Sequence, residues 1–217
     1  MNILEIIKKR RSVREYFDKE VSEELIEKII EAGIWAPSAC NVQGWHFLVI
    51  NNKERIRELA EKGVIHLRNV PAGIFILYDK RLINREYKDH FQSAAAAIQN
   101  MHLMTSELEL GSCWVCHLPS NKQLKKMLNV PWYFDVIALF TLGYPKNYPP
   151  LLKRKKDLKK FISYNELKIE RELLNEVKIN VFRKIVNDRL FRKIIKIIPD
   201  HLRKSIKQKF NIDPDNE

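Results

Sequence analysis

The chain has 217 residues and a mass of 25.8 kDa, which suits one domain or one domain with an appendage. Its hydrophobic fraction of 45% can supply a buried core and excludes disorder throughout. The formal net charge is +12, and residues 151–217 contribute +9 of it, so the excess of positive charge belongs to the C-terminal third. We expect a cytoplasmic protein, because no apolar run approaches the ~18 residues of a spanning helix and the N-terminus is unlike a secretory signal.

The first third of the chain predicts three helices and one strand. A short amphipathic helix is expected over 2–9, with isoleucines on one side. Ser22 is a good N-cap for a second helix, which Pro37 ends. The run 45–50 predicts a strand, and 52–63 predicts a helix that a glycine stops.

The middle of the chain predicts three more strands and two helices. Strands are expected at 73–78, 112–118 and 135–142, and helices at 93–110 and 120–128. The small and apolar helix 93–110 is expected at the centre of the fold. Because helices and strands do not alternate regularly, an α+β fold is favoured over a doubly wound sheet.

Residues 163–217 predict a basic, helical C-terminal extension beyond a first domain of residues 1–162. Helical stretches are expected at about 166–179, 182–198 and 201–210, the second with an apolar face opposite many Lys and Arg. The alternatives for this extension are an arm on a partner subunit, peripheral contact of 165–217 with an anionic membrane surface, and nucleic-acid binding. Nucleic acid is the least favoured, because Tyr164 is the only Tyr or Trp in the extension that could stack on bases.

The six glycines exclude two common nucleotide-binding motifs. No two of them are one residue apart, so G-x-G-x-x-G is absent, and G-x-x-x-x-G-K-[ST] is absent as well. The run Cys113-Trp114-Val115-Cys116-His117 matches the short C-x-x-C-H pattern of c-type haem attachment, and it also suggests a thioredoxin-like pair. A buried strand or turn is the simpler interpretation of this run.

Two polar segments could carry chemistry. Arg10, Arg11, Ser12 and Arg14 put three guanidinium groups and a hydroxyl within five residues, which suits a phosphate, although a solvated basic turn has the same composition. The second segment lies between a helix and a strand and offers hydroxyl and amide groups that can read a heteroaromatic edge. Its alternative is a loop that satisfies its own backbone. The residues of this second segment are Pro37, Ser38, Ala39, Asn41 and Gln43.

Together, these segments resemble the start of the nitroreductase family of FMN-dependent oxidoreductases. The similarity continues in the Ala-Gln-Asn helix around 96–101, in Leu110-Gly111-Ser112-Cys113-Trp114-Val115, and in Leu142-Gly143-Tyr144-Pro145 followed by Arg154. It covers about residues 3–162. Five pieces in the same order make the resemblance fairly specific.

The resemblance implies a homodimer of α+β subunits, each with a mixed or antiparallel sheet flanked by helices and with FMN at the interface. By this analogy the phosphate lies against Arg10, Arg11, Ser12 and Arg14, with Arg154 or Lys153 closing over it. The flavin ring receives one set of contacts from the partner subunit and meets a strand backbone of the other subunit. The partner contacts are Pro37, Ser38 and Ala39, with Asn41 and Gln43 near by, and the strand backbone is that of Cys113, Trp114 and Val115.

The implied activity is ping-pong reduction of an electron-poor small molecule by NAD(P)H through flavin N5, with no catalytic side chain and no metal. The alternative is a flavin-binding or degenerate nitroreductase-fold protein held at a membrane by its basic extension. Two departures from the family pattern stand out. Gly44 replaces a usual proline, which we expect to loosen that turn, and Cys116-His117 replaces small residues beside the ring. His117 could also donate a proton to substrate, whereas His102 and Asp135 are expected to be structural.

Overall fold

A computed structural model describes residues 2–84, 86–151 and 158–166 of the chain. The chain divides into two compact units, residues 1–152 and 153–217. The predicted boundary at 162/163 stays a prediction. Of the second unit, the described part includes a 3₁₀ turn, Leu158–Phe161. The last described residue is 166, so the helices predicted between 166 and 210 lie outside the described residues apart from that first position.

The first unit is α+β, as the sequence predicts. Its helices are α1 (Ile3–Lys9), α2 (Glu23–Ile34), α3 (Lys53–Glu61), α4 (Asp89–Glu107) and α5 (Asn121–Leu128). Its strands are β1 (Trp45–Ile50), β2 (Ala72–Asp79), β3 (Gly111–Val115) and β4 (Phe134–Gly143).

Local signals set most helix ends. Asn2 and Glu5 form a capping box at the start of α1, and the side chain of Asn52 accepts a hydrogen bond from the backbone of Arg55 in α3. Gly63 follows α3 with φ of 109°, a conformation that glycine adopts without strain. Ser22 stands at the N-cap of α2 as predicted, but its side chain makes no capping hydrogen bond.

The sheet has the order β1-β2-β4-β3, and all three strand pairs are antiparallel. The two central strands are largely buried because helices cover both faces. On one face, α2 and α4 pack on Ile74, Ile76 and Phe140, and the small side chains of α4 permit the close approach. On the other face, α3 and α5 pack on Phe75 and Leu139.

The first helix leaves most of its apolar side exposed. In the described part of the chain, α1 buries none of its residues, and Ile3, Leu4 and Ile7 are exposed. Nor does any helix among residues 2–84, 86–151 and 158–166 have the length and apolar character needed to cross a membrane.

Candidate functional site

The predicted arginine segment is a fixed edge of the sheet. The backbone N–H of Val13 donates to the carbonyl of Ser112 at 2.9 Å, and Ser12 pairs with Ser112 in a parallel bridge beside β3. Val13 is buried against Gly111, where an added Cβ would lie 2.8 Å from Val13 Cγ1. These contacts hold the segment in place, so its backbone is not that of a free, solvated turn.

The buried hydroxyl of Tyr16 also holds the arginine segment in place. Tyr16 Oη donates to the carbonyl of Val13 at 2.6 Å and is hydrogen-bonded to Thr141 Oγ1 at 2.9 Å. Burial raises the pKa of the Tyr16 phenol well above its usual range, so the hydroxyl keeps its proton at neutral pH. The segment is thereby tied to the C-terminal end of β4.

The three guanidinium groups are not equivalent. Arg11 donates to the carbonyls of Lys8 at 2.6 Å and Arg10 at 2.7 Å, which turns it back toward the C-terminus of α1. Within the part of the chain that the structure describes, Arg14 makes only a long, 3.4 Å contact with the carbonyl of Ser12. Among the described residues, Arg14 therefore keeps more donors for a ligand than Arg11, whose Nη1 is held by two backbone carbonyls.

A cavity of about 170 Å³ opens beside Arg14. Its wall includes the side chains of His66 and Arg68, which sequence reasoning missed because they lie in the connection between α3 and β2 and match no motif. The cavity is smaller than the 300–1,000 Å³ of typical ligand sites. Its lining is Arg14, Tyr16, Ile65, His66, Arg68, Val70, Cys113, Val115 and Thr141.

The loop that contains Pro37 to Gln43 has an unusual backbone. Cys40, Asn41 and Gln43 have φ of 49°, 55° and 50°, in the left-handed region that non-glycine residues seldom adopt. The backbone N–H of Gln43 donates to Ser38 Oγ at 3.0 Å, and that of Ala39 donates to Ser93 Oγ at 3.3 Å. Strained backbone of this kind clusters at ligand sites, because the surroundings must hold it in place.

Gly44 has a specific packing role in this loop. A Cβ at this position would lie 2.6 Å from Tyr78 Cε1, so the ring of Tyr78 requires glycine here. Tyr78 in turn stacks edge-on with Trp45 and lies 6.1 Å from the ring of His90. The missing proline predicts a looser turn, but the structure instead has a close contact between this glycine and the ring of Tyr78.

The comparisons with known proteins point to one family. A model of the Nitroreductase family matches residues 7–67 and 61–144. This chain belongs to the nitroreductase family.

Several relatives show the extent of the similarity. An Archaeoglobus fulgidus protein named for NADH dehydrogenase and NAD(P)H nitroreductase activity is 36% identical over 149 residues, 66% of this chain and 86% of the relative. A Thermus thermophilus NADH dehydrogenase is 39% identical over 178 residues, 65% of this chain and 86% of its own length.

Solved structures extend the similarity to the fold. An FMN-dependent nitroreductase from Clostridium difficile superposes with a TM-score of 0.66 at 30% identity, covering 76% of this chain and 99% of its own. A Desulfovibrio desulfuricans relative in complex with FMN has the same TM-score and identity, covering 77% and 99%.

The two polar segments that carry the family resemblance lie at opposite edges of the sheet. Four strand spacings of about 4.8 Å, or ~19 Å, separate the start of β1 from the Ser12 segment beyond β3. Across the sheet, Trp45 of β1 is level with Asp135, at the start of β4. Ser112 of β3 is paired with Leu142, near the end of β4. That offset adds ~23 Å along the strands. A single nitroreductase protomer therefore does not bring these two segments together.

Strand β3 presents different side chains to its two faces. Cys113 and Val115 are buried and line the cavity, whereas Trp114 lies on the other face and is partly exposed. Arg154 and Lys153, which the family resemblance places over the phosphate, lie outside the described residues.

The cysteine and histidine pattern of this nitroreductase, residues 113–117, covers the end of β3 and the two residues after it. Cys40, Cys113 and Cys116 are free thiols, and burial raises the pKa of Cys113 above its usual value, which makes it a weak nucleophile at neutral pH. Among the residues that the structure describes, no cluster of His, Cys, Asp and Glu could hold a metal ion.

Two histidines flank the arginine segment. Burial lowers the pKa of His102 to about 4, with a smaller contribution from the charge of Arg10, and His102 Nδ1 is hydrogen-bonded to Ser112 Oγ at 2.7 Å. Burial also lowers the pKa of His66, and the charges of His117 and Arg14 add to this effect. The neutral imidazole of His102 thus supports β3 from the α4 side, in line with the structural role expected for it.

Proposed function

We propose that this chain is an FMN-dependent oxidoreductase that uses NAD(P)H to reduce an electron-poor small molecule, such as a nitroaromatic, a quinone or an enone. The observation that carries the proposal is the arginine segment, which the sheet fixes beside the cavity of Arg14, His66 and Arg68. The names of the family relatives supply the reaction class, and the FMN complex of one of them supplies the cofactor.

The residues present fit a flavin nucleotide. In this proposal Arg10, Ser12 and Arg14 would hold the phosphate, and the guanidinium donors of Arg14 that its long contact with Ser12 leaves over suit an anion. When bound, FMN would supply the two-electron hydride chemistry, at its N5, for ping-pong exchange between a nicotinamide and the acceptor.

The groups of this chain serve to bind and orient the flavin. In the strained loop, Gln43 Nε2 donates to Asn41 Oδ1 at 2.8 Å, which orients both amides for the polar edge of a ring. The strand backbone of residues 113–115 provides a flat, fixed surface. We assign no side chain as a general acid or base.

We propose that the functional unit is a homodimer. Members of the nitroreductase family are typically dimeric. The two polar segments of one protomer are separated by more than an FMN molecule can bridge, so a complete site needs the strained loop of one copy and the arginine segment of another. The exposed side chains of Ile3, Leu4 and Ile7 on α1 and of Trp35 after α2 supply apolar surface for such an interface.

Purification of the full-length protein tests the assignment directly. We expect a yellow protein with about one FMN per chain and with the mass of a dimer in light scattering. Reduction of the bound flavin by NADH and by NADPH, each followed by a panel of acceptors, identifies the substrates. A colourless monomer that takes up no added FMN contradicts the proposal.

The basic extension supports a second, separable proposal, peripheral contact with anionic membranes. Residues 151–217 carry a net charge of +9, which favours such surfaces. The full chain should sediment with anionic vesicles at low salt and not at high salt, and removal of 165–217 should abolish sedimentation. Sedimentation that survives the truncation rejects this role.

The proposed location is the cytoplasm, where thiols such as Cys116 stay reduced.

A further inference from the structure

A second cavity shares Tyr16, Arg68 and Val70 with the small cavity of the proposed flavin site. Its volume is about 470 Å³, within the usual range of small-molecule sites. It is bounded by α3, by the chain around Asp18 and Lys146, and by the connection that leads into β2. Neither the family resemblance nor the proposed reaction assigns it a ligand.

The floor of this cavity is apolar. Leu67 is fully buried, and Ile56, Ala60 and Val70 are at most 8% exposed. Together with Tyr16 and Pro71, these side chains form a surface that an aromatic or aliphatic group would remove from water, with a gain in free energy proportional to the area covered.

The rim of the cavity is basic. Four cations, Lys53, Arg57, Arg68 and Lys146, stand there against two carboxylates. Lys53 is paired with Asp18 at 3.0 Å. Within the described part of the chain, no ion pair involves Arg57, Arg68 or Lys146. The lining thus combines an apolar floor with three cations that have no carboxylate partner among the described residues.

We propose that this cavity binds a small organic anion with an apolar body, whose phosphate, carboxylate or sulfonate group lies at the rim near Arg57 and Lys146. The apolar body of such a ligand covers the floor, while its anionic group replaces water around the unpaired guanidinium and ammonium groups. A neutral molecule of the same shape would gain only the first contribution. The inference does not depend on the flavin chemistry.

The test uses the full-length protein saturated with FMN, and two matched probes. 1-Naphthoate is the anion, and 1-naphthalenemethanol is its neutral analogue. Binding is measured by calorimetry at low salt in the wild type, in Arg57→Glu/Lys146→Glu, and in the control Lys122→Glu, which changes an exposed lysine of α5 far from the cavity in sequence. Circular dichroism verifies that each variant is folded.

We expect 1-naphthoate to bind more tightly than the alcohol and the double variant to bind it at least about fivefold more weakly, as two reversed surface charges imply. Lys122→Glu should change its affinity less than twofold. Equal affinity in the wild type and the double variant, or equal affinity for the two probes, overturns the proposal. Binding that appears only without FMN assigns the cavity to the flavin site and overturns it as well, whereas failure to bind FMN at all contradicts only the proposed function.

Discussion

Removal of one buried hydroxyl should test how the arginine segment is held. Tyr16→Phe removes the donor to the carbonyl of Val13 and the partner of Thr141 Oγ1, at 2.6 and 2.9 Å. Tyr16 is only 3% exposed, so water cannot readily replace these bonds. A buried polar group left without its partner costs about 1–3 kcal/mol, and we expect this loss in the free energy of unfolding.

A double-mutant cycle makes the expectation specific. Thr141→Val alone should cost about 0.5–1.5 kcal/mol, since Tyr16 still donates to Val13. The double variant should cost about 1 kcal/mol less than the sum of the single variants, because the second change removes a hydroxyl that has already lost its partner. Urea unfolding of the FMN-free wild type, the two single variants and the double variant, all at the same protein concentration, measures the four free energies of unfolding. A loss below about 0.5 kcal/mol in Tyr16→Phe, with strict additivity, would refute the reasoning.

Three further predictions concern the pH response, the strained loop and the phosphate. Because the pKa of His102 falls to about 4 in the folded protein, its contribution to stability is present above the unfolded value near 6.5 and is lost as the pH falls toward 4. His102→Gln should therefore flatten the dependence of the unfolding free energy on pH by up to about 3 kcal/mol, and parallel curves would contradict this. Gly44→Ala should destabilise by about 1–3 kcal/mol through the ring of Tyr78, but by less than about 0.5 kcal/mol in a Tyr78→Leu background, as measured by urea unfolding. Arg14→Ala should weaken FMN retention on dialysis more than Lys9→Ala does, and equal losses would place the phosphate elsewhere.

Much of the local structure is encoded close by in the chain. The period of 3.6 in α2 and the apolar run of β2 predict these elements within one residue at most ends, because burial on one face dictates the pattern. The start of α4 shows the limit of this reasoning. It begins at Asp89, four residues before the predicted Ser93, since its first turn carries no strong capping signal. The exposure of α1 could not be predicted from the sequence either, because a periodic apolar face does not indicate which other part of the protein covers it.

The site divides in the same way. The types of residue in the arginine segment and in the loop after Pro37 suggest a phosphate and an amide-reading edge, and both stay predictions. The sequence did not indicate that Arg11 turns back to α1, or that His66 and Arg68 line the same wall as Arg14. Those facts depend on contacts between distant parts of the chain, which have no local signature.

Composition and periodicity alone determine that this chain forms an α+β unit, that its positive charge is concentrated after residue 150, and that guanidinium groups cluster near its beginning. Only the tertiary structure decided that Ser12 pairs with β3, that Tyr16 reaches Thr141 across 125 residues, and that the strained loop lies at the far edge of the sheet. Local patterns fix the elements because each element must bury one face. The order of the strands is fixed by pairing between segments remote in sequence, and that order is what divides the site between two edges.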